Sequence, residues 1–164
     1  MAQRLQDELH PSQAFTDPGA AMFLKTAAPV EQLFNSILAA ASPEQYSTGF
    51  RAIEAVKSLN LHNHSALWPS VYSGLTVIAD RETPLHRDDG ASISHFDLLF
   101  SAGVHNKAEL RLPDVGTVLD YDPGTVVLLA GRALAHSVPR TWVGHRVCWA
   151  HYMKDKVHDK LGIP

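Results

Sequence analysis

Residues 108–139 read AELRLPDVGTVLDYDPGTVVLLAGRALAHSVP, and this stretch decides the fold. It holds four short β-type runs, 108–112, 117–121, 125–130 and 133–139, cut apart by Pro113-Asp114, Asp122-Pro123-Gly124 and Gly131. Val, Leu, Thr and Tyr suit a pleated surface, whereas Gly, Pro and Asp supply the turns. Working outward, VYSGLTVIA (71–79) and ISHFDLLFS (93–101) precede it and RVCWAHY (146–152) follows. Seven runs spaced by turn residues, with no helical period between them, predict an antiparallel sandwich or barrel.

The N-terminal third has a different grammar. Val30, Leu33, Phe34, Ile37 and Leu38 recur at the spacing of an amphipathic helix. A second helix starts at Ser42-Pro43-Glu44-Gln45, where Ser42 is expected to cap, Pro43 suits the first turn and Gln45 closes a capping box. Tyr46, Phe50, Ile53 and Val56 would form its apolar face. Helices are therefore expected over about 29–60, covering one sheet face. Residues 1–27 carry Pro11, Pro18 and Gly19 without a sustained period and read as a loose lead-in.

With 164 residues, the chain fits one domain, taken as 28–164. An apolar fraction of 45% against 19% charged excludes wholesale disorder. No apolar run approaches the ~18 residues that span a bilayer, so no membrane association is expected. MAQRLQDELH lacks the apolar core of a secretory signal, and the lone Cys148 excludes an internal disulfide. An intracellular location, nuclear or cytoplasmic, is expected. The net charge of -3 opposes bulk electrostatic binding of nucleic acid, yet residues 124–164 hold six basic residues against two acidic.

P-loop, G-x-G-x-x-G, G-x-S-x-G and H-E-x-x-H signatures are absent, which leaves ten histidines. His86-Arg87-Asp88 places an imidazole and a carboxylate at i and i+2, on one side of extended backbone. With a third ligand from a distant strand they would form a 2-His-1-carboxylate triad for Fe(II). His95-Phe96-Asp97 is a second such triplet, and about 0.7 are expected by chance. It lies inside an alternating run, whereas His86 and Asp88 sit at a strand end that a metal can reach. His86/Asp88 is therefore preferred, with His95 and Asp97 expected as a polar pair on the other sheet face or lining the pocket. The distal ligand must come from His105, His136, His145, His151 or His158. Arg146, ten residues beyond His136, suits a bidentate clamp on a carboxylate, with Cys148 on the same face.

The order HRD, then about fifty residues to the His of ALAHSV, then Arg ten residues on, resembles the Fe(II)/2-oxoglutarate-dependent dioxygenases. AELRLPDVGTVLDYDPGTVVLLAGRALAHSV followed by HRVCWAHYMKDK is similar to the TET/JBP branch, which oxidises methylated bases in nucleic acid. The resemblance covers residues 71–156. It implies a mainly β fold, a double-stranded β-helix (jelly roll) core at about 66–156 with two helices packed on one sheet. It also implies Fe(II), 2-oxoglutarate and dioxygen, with His86, Asp88 and His136 as iron ligands and Arg146 holding the distal carboxylate of 2-oxoglutarate. Many members carry Ser or Thr two residues after that arginine. Here Cys148, a weaker donor, stands there, so a lower cosubstrate affinity is expected.

The expected substrate is a 5-methylcytosine-like or N6-methyladenine-like base, in DNA ahead of RNA, with Arg140, Trp142, Lys154 and Lys156 as candidate contacts to the strand. A single cysteine leaves no cysteine-rich zinc module for duplex DNA. The alternatives are a hydroxylase or demethylase of a protein side chain or metabolite, and a non-catalytic jelly-roll binding module. A structural zinc site at His62-Asn63-His64 lacks suitable partners.

Overall fold

The computed structural model describes residues 9–61, 64–89 and 92–163. They form two compact units, one up to Ser73 together with Asp155 onward, the other Gly74–Lys154. His62 and Asn63 of the zinc alternative, and Gly90 of the turn after the first H-x-D triplet, lie outside the described residues.

The first unit is helical: α1 (Ala20–Ala41), α2 (Pro43–Ser58) and a short α3 (Asp155–Leu161). Helix α1 begins inside the stretch read as a loose lead-in, because Ala20, Ala21, Met22, Leu24 and Lys25 are good helix formers even without a full apolar period. It tolerates Pro29 in its interior, and it buries Leu24, Ala27, Glu31, Phe34 and Leu38. Asn35 ties the following chain to α1, donating to the carbonyl of Pro69 (2.9 Å) and accepting from the amide of Val71 (3.0 Å).

Helix α2 departs from expectation twice. Ser42 makes no side-chain cap bond, although Pro43 does occupy the first turn. The buried stripe is Gln45, Gly49, Ala52 and Ile53, whereas Phe50 is half exposed and stacks on Tyr46 at 6.4 Å. Gly49 and Ala52 permit close approach of a neighbouring backbone that a phenyl ring would prevent. Hydrophobicity alone therefore misplaced the face by one residue.

The second unit is all β, with eight strands: β1 (Gly74–Ala79), β2 (Thr83–His86), β3 (Asp97–Asn106), β4 (Glu109–Leu112), β5 (Thr117–Asp120), β6 (Val126–Leu129), β7 (His136–Val138) and β8 (Val143–Tyr152). They build two four-stranded antiparallel sheets, ordered β1-β8-β3-β6 and β2-β7-β4-β5. Strand β2 is the one that sequence reading missed, because Pro84 looked like a breaker. It lies at a sheet edge, where a missing N–H is tolerated. Strand β3 starts at Asp97, four residues later than the alternation suggested, which leaves His95 in a loop.

Both sheets contribute to one core: Leu99 (β3), Leu110 and Leu112 (β4), Leu129 (β6), Val138 (β7) and Cys148 (β8), with Ala108, Tyr121 and Trp142 from the connections. The long β3–β8 ladder is closed by two glycines in left-handed backbone, Gly103 (φ +102) and Gly144 (φ +103). A Cβ on Gly144 would run into the carbonyl oxygen of Val104 across the ladder, whereas one on Gly124 (φ +93) would meet open space. Gly124→Ala should therefore carry only the conformational cost of about 1–3 kcal/mol, and Gly144→Ala distinctly more. Urea unfolding of the two variants, side by side, measures the difference.

Candidate metal centre

The antiparallel pairing of β2 with β7 brings the end of one strand opposite the start of the other, with His86 across from His136. Their rings lie 4.2 Å apart at 50°. Asp88, two residues past His86, is held at the same end by its amide, which donates to the carbonyl of Gly131 (3.0 Å). His86 Nε2 is 3.2 Å from Asp88 Oδ1, and His136 Nε2 is 3.5 Å from Asp88 Oδ2. One ligand atom from each residue lies within 4.8 Å of the others.

The hydrogen bonds on the far side of both rings decide what these atoms are. His86 Nδ1 is 2.9 Å from the carbonyl of Pro84, and His136 Nδ1 is 3.1 Å from that of Leu134. A carbonyl only accepts, so each Nδ1 carries the proton and donates it. In the neutral ring Nε2 is then a bare lone pair. Burial, the largest effect, lowers the pKa of His136, and the neighbouring His86 lowers it further against the raising effects of Leu134 and Asp88. Two lone pairs thus face one carboxylate. A proton on either Nε2 would pair it with Asp88, and with both Nε2 atoms bare the set of two imidazole nitrogens and one carboxylate oxygen suits Fe(II).

A further carboxyl crowds the site. Asp97, at the start of β3, is buried and lies beside Asp88, where burial, the charge of Asp88 and their hydrogen bond push its pKa up to about 7. Of the two placements expected for it, on the other sheet face or lining the pocket, Asp97 takes the second. A Cβ on Gly131 would run into Asp88 Oδ2 and Asp97 Oδ2, so the glycine leaves the space that both occupy. Arg87 fastens the loop before β7, donating to the carbonyl of Ala133 (3.2 Å) and to Asp114 Oδ2 (2.8 Å), which also accepts from the amide of Ala135 (2.6 Å). The middle residue of H-R-D therefore positions the strand that carries His136.

The other histidines considered as distal ligands sit elsewhere. His105 faces Ser101 Oγ (3.1 Å), exposed His145 pairs with Asp80 (2.9 Å), and His151 faces the carbonyl of Leu98 (3.3 Å). His158 lies on α3.

Arg146 builds a second polar cluster with the opposite imbalance. Asp80 Oδ1 accepts from its amide (2.8 Å), which sets the start of β8 against the end of β1. The side chain is 1% exposed and lies over the rings of Tyr121 (5.0 Å) and Trp142 (5.4 Å). Its Nε and Nη1 meet no acceptor among the described residues. Cys148 Sγ is 3.4 Å from Tyr121 Oη, so the cysteine shares this cluster. Trp142 is consequently buried and unavailable to a nucleic acid strand, while Lys154 and Lys156 are exposed. The sequence did not single out Gly131 or Tyr121. The DYDPG turn was visible, but nothing in it announced an inward tyrosine.

A family model described as the oxygenase domain of the 2OGFeDO superfamily, Tet_JBP, matches residues 12–155. No curated protein matches the chain.

Gly131→Ala should leave the fold intact, because the atoms displaced are flexible carboxylate tips. It should weaken divalent metal binding by about 10–100-fold, the usual effect of disturbing groups that orient a ligand. Calorimetric titration with Mn(II), alongside a thermal melt, tests both halves.

Proposed function

This chain belongs to the TET/JBP oxygenase-domain family of the 2OGFeDO superfamily, and on that premise we propose that it oxidises the methyl group of a modified nucleobase, 5-methylcytosine-like or N6-methyladenine-like, within nucleic acid. It is a dioxygenase that uses Fe(II), 2-oxoglutarate and dioxygen. In this reading His86, Asp88 and His136 hold the iron, and Arg146 with Cys148 beside it receives the distal carboxylate of 2-oxoglutarate. The observation that carries the assignment is the pair of Nε2 lone pairs turned onto one carboxylate. The strand orders 1-8-3-6 and 2-7-4-5 support reading the two sheets as a double-stranded β-helix.

When bound, the iron and 2-oxoglutarate supply the oxidising chemistry, with the cosubstrate decarboxylated to succinate. The protein's own work is placement. The carbonyls of Pro84 and Leu134 keep both imidazoles in the metal-binding tautomer. His136 closes the buried side of the site, while the side chains of His86 and Asp88 remain more than a third exposed. Substrate therefore approaches over His86 and Asp88. A base reaching them must be single-stranded or turned out of its stack.

Purified protein with Fe(II), ascorbate and 2-oxoglutarate, offered methylated DNA, methylated RNA and histone peptides, should form succinate and an oxidised base. His86→Ala, Asp88→Ala and His136→Ala should each abolish turnover and metal binding while the fold survives on its aliphatic core. Succinate coupled only to peptide oxidation would replace the nucleic acid reading with that of a protein hydroxylase.

The basic C-terminal stretch supplies a second test. Lys154 and Lys156 are exposed and flank the acidic Asp155. If both meet phosphates, replacing them with Ala should weaken binding of all sequences alike. It should also lower the slope of log affinity against log salt by about 0.7–0.9 per contact, leaving metal and cosubstrate binding untouched. Oligonucleotide titrations at two salt concentrations, for wild type and the double variant, read this out.

A further inference from the structure

The buried donors around Arg146 outnumber the acceptors, and they do not all belong to the arginine. Trp142 is 6% exposed, and its indole Nε1 is fully buried without an acceptor among the described residues. An indole N–H left in an apolar core without a partner is disfavoured, so buried tryptophans ordinarily find one. The ring that carries this N–H lies 5.4 Å from the guanidinium carbon of Arg146, whose Nε and Nη1 are likewise without acceptors. Three buried N–H donors from two side chains in contact thus lack any acceptor. Arg146 forms no ion pair with a described residue; Tyr121, on its other flank, hydrogen-bonds it through the hydroxyl and lies 3.4 Å from Cys148 Sγ, which still leaves Nε and Nη1 without an acceptor among the described residues.

We propose that Trp142 is a binding residue for the distal carboxylate of 2-oxoglutarate, its indole N–H donating to the same anion as Arg146. This rests on the reading of Arg146 given above and adds a residue to it. A carboxylate offers four lone-pair sites, enough for a guanidinium and an indole together. The tryptophan thereby takes over the work left undone at position 148, where a thiol stands in place of a hydroxyl. It also makes the pocket selective, because a 2-oxo acid without a second carboxylate leaves all three donors orphaned.

The test is anaerobic calorimetric titration of the Fe(II)-loaded protein with 2-oxoglutarate and, separately, with 2-oxobutyrate, which keeps the metal-chelating end and lacks the distal carboxylate. Trp142→Phe keeps an aromatic face under Arg146 and removes the N–H together with part of the indole's bulk. Its dissociation constant for 2-oxoglutarate should rise at least tenfold, the loss expected for one hydrogen bond to a charged group. That for 2-oxobutyrate should stay within twofold, which separates the lost N–H from the lost bulk. Equal weakening of both ligands would mean that the ring acts only through packing, and would overturn the proposal. Unchanged 2-oxoglutarate affinity in Trp142→Phe, with a loss in Arg146→Lys, would overturn it while leaving Arg146 in place. No loss in either variant would overturn the reading of Arg146 itself.

Discussion

The architecture of the β unit turns on an electrostatic surplus at the meeting of β2 and β7. Two imidazole lone pairs and the carboxylate of Asp88 converge, and Asp97 adds a fourth acceptor group behind them. A hydrogen bond between Asp88 and Asp97 relieves part of this crowding. Each group is nevertheless held in place by a separate device. Backbone carbonyls fix the rings, Gly131 receives the Asp88 amide and makes room for both carboxylates, and Arg87 clamps the loop before His136 through Asp114. Each of these contacts also stabilises the fold on its own account, and together they hold two imidazoles and a carboxylate at one place. They make sense as preorganisation for a cation.

The Arg146 cluster is its counterpart, with donors in excess. A buried charge without a partner is among the costlier features a core can contain, and each unmet N–H adds about 1–3 kcal/mol. Folding stability of the whole chain is only on the order of 5–15 kcal/mol. Stacking on Tyr121 and Trp142 offsets part of the desolvation of Arg146 but leaves its hydrogen-bonding directions open. Ser101 and His105 are consumed in a pair of their own, with the serine donating onward to the carbonyl of Tyr121. That network holds the tyrosine beside the arginine, where its hydroxyl meets one side of the guanidinium and leaves Nε and Nη1 open.

Much of this was legible in the sequence, and the reasons differ by residue. His86 and Asp88 were visible because i and i+2 share a face in any extended chain, whatever the fold. Arg146 and Cys148 shared a face for the same reason. That His136 sits opposite His86 follows from strand register, which no local pattern states, and at that point the order of residues along the chain had to substitute for geometry. The His95-Phe96-Asp97 triplet misled because alternation looked like strand, whereas β3 begins only at Asp97 and the turn before it carries His95 away. Trp142 stayed ambiguous because a tryptophan beside basic residues suits a nucleic acid surface as well as a core, and its burial decides for the core. Pro84 concealed β2 for the opposite reason, since a breaker in a central strand is an ordinary resident of an edge.

The two imbalanced clusters are not independent. Leu134 and Val138, which flank His136, pack in the same core as Tyr121, Trp142 and Cys148, which surround Arg146. A shift in β7 that relaxed the crowded acceptors would therefore disturb the aromatic seat of the arginine, and the reverse also holds. On the reading proposed above, a metal cation relieves the first cluster and an anion the second. A 2-oxo dicarboxylate is one molecule that can serve both, chelating a metal with one end and presenting a carboxylate with the other. Neither cluster needs a conformational change to become reactive, because each is already built around the charge it lacks. Binding energy from the ligand then goes into stabilising a strained arrangement rather than into assembling it, which is how a small β domain with only nine fully buried core residues in this cluster can hold a demanding site rigidly.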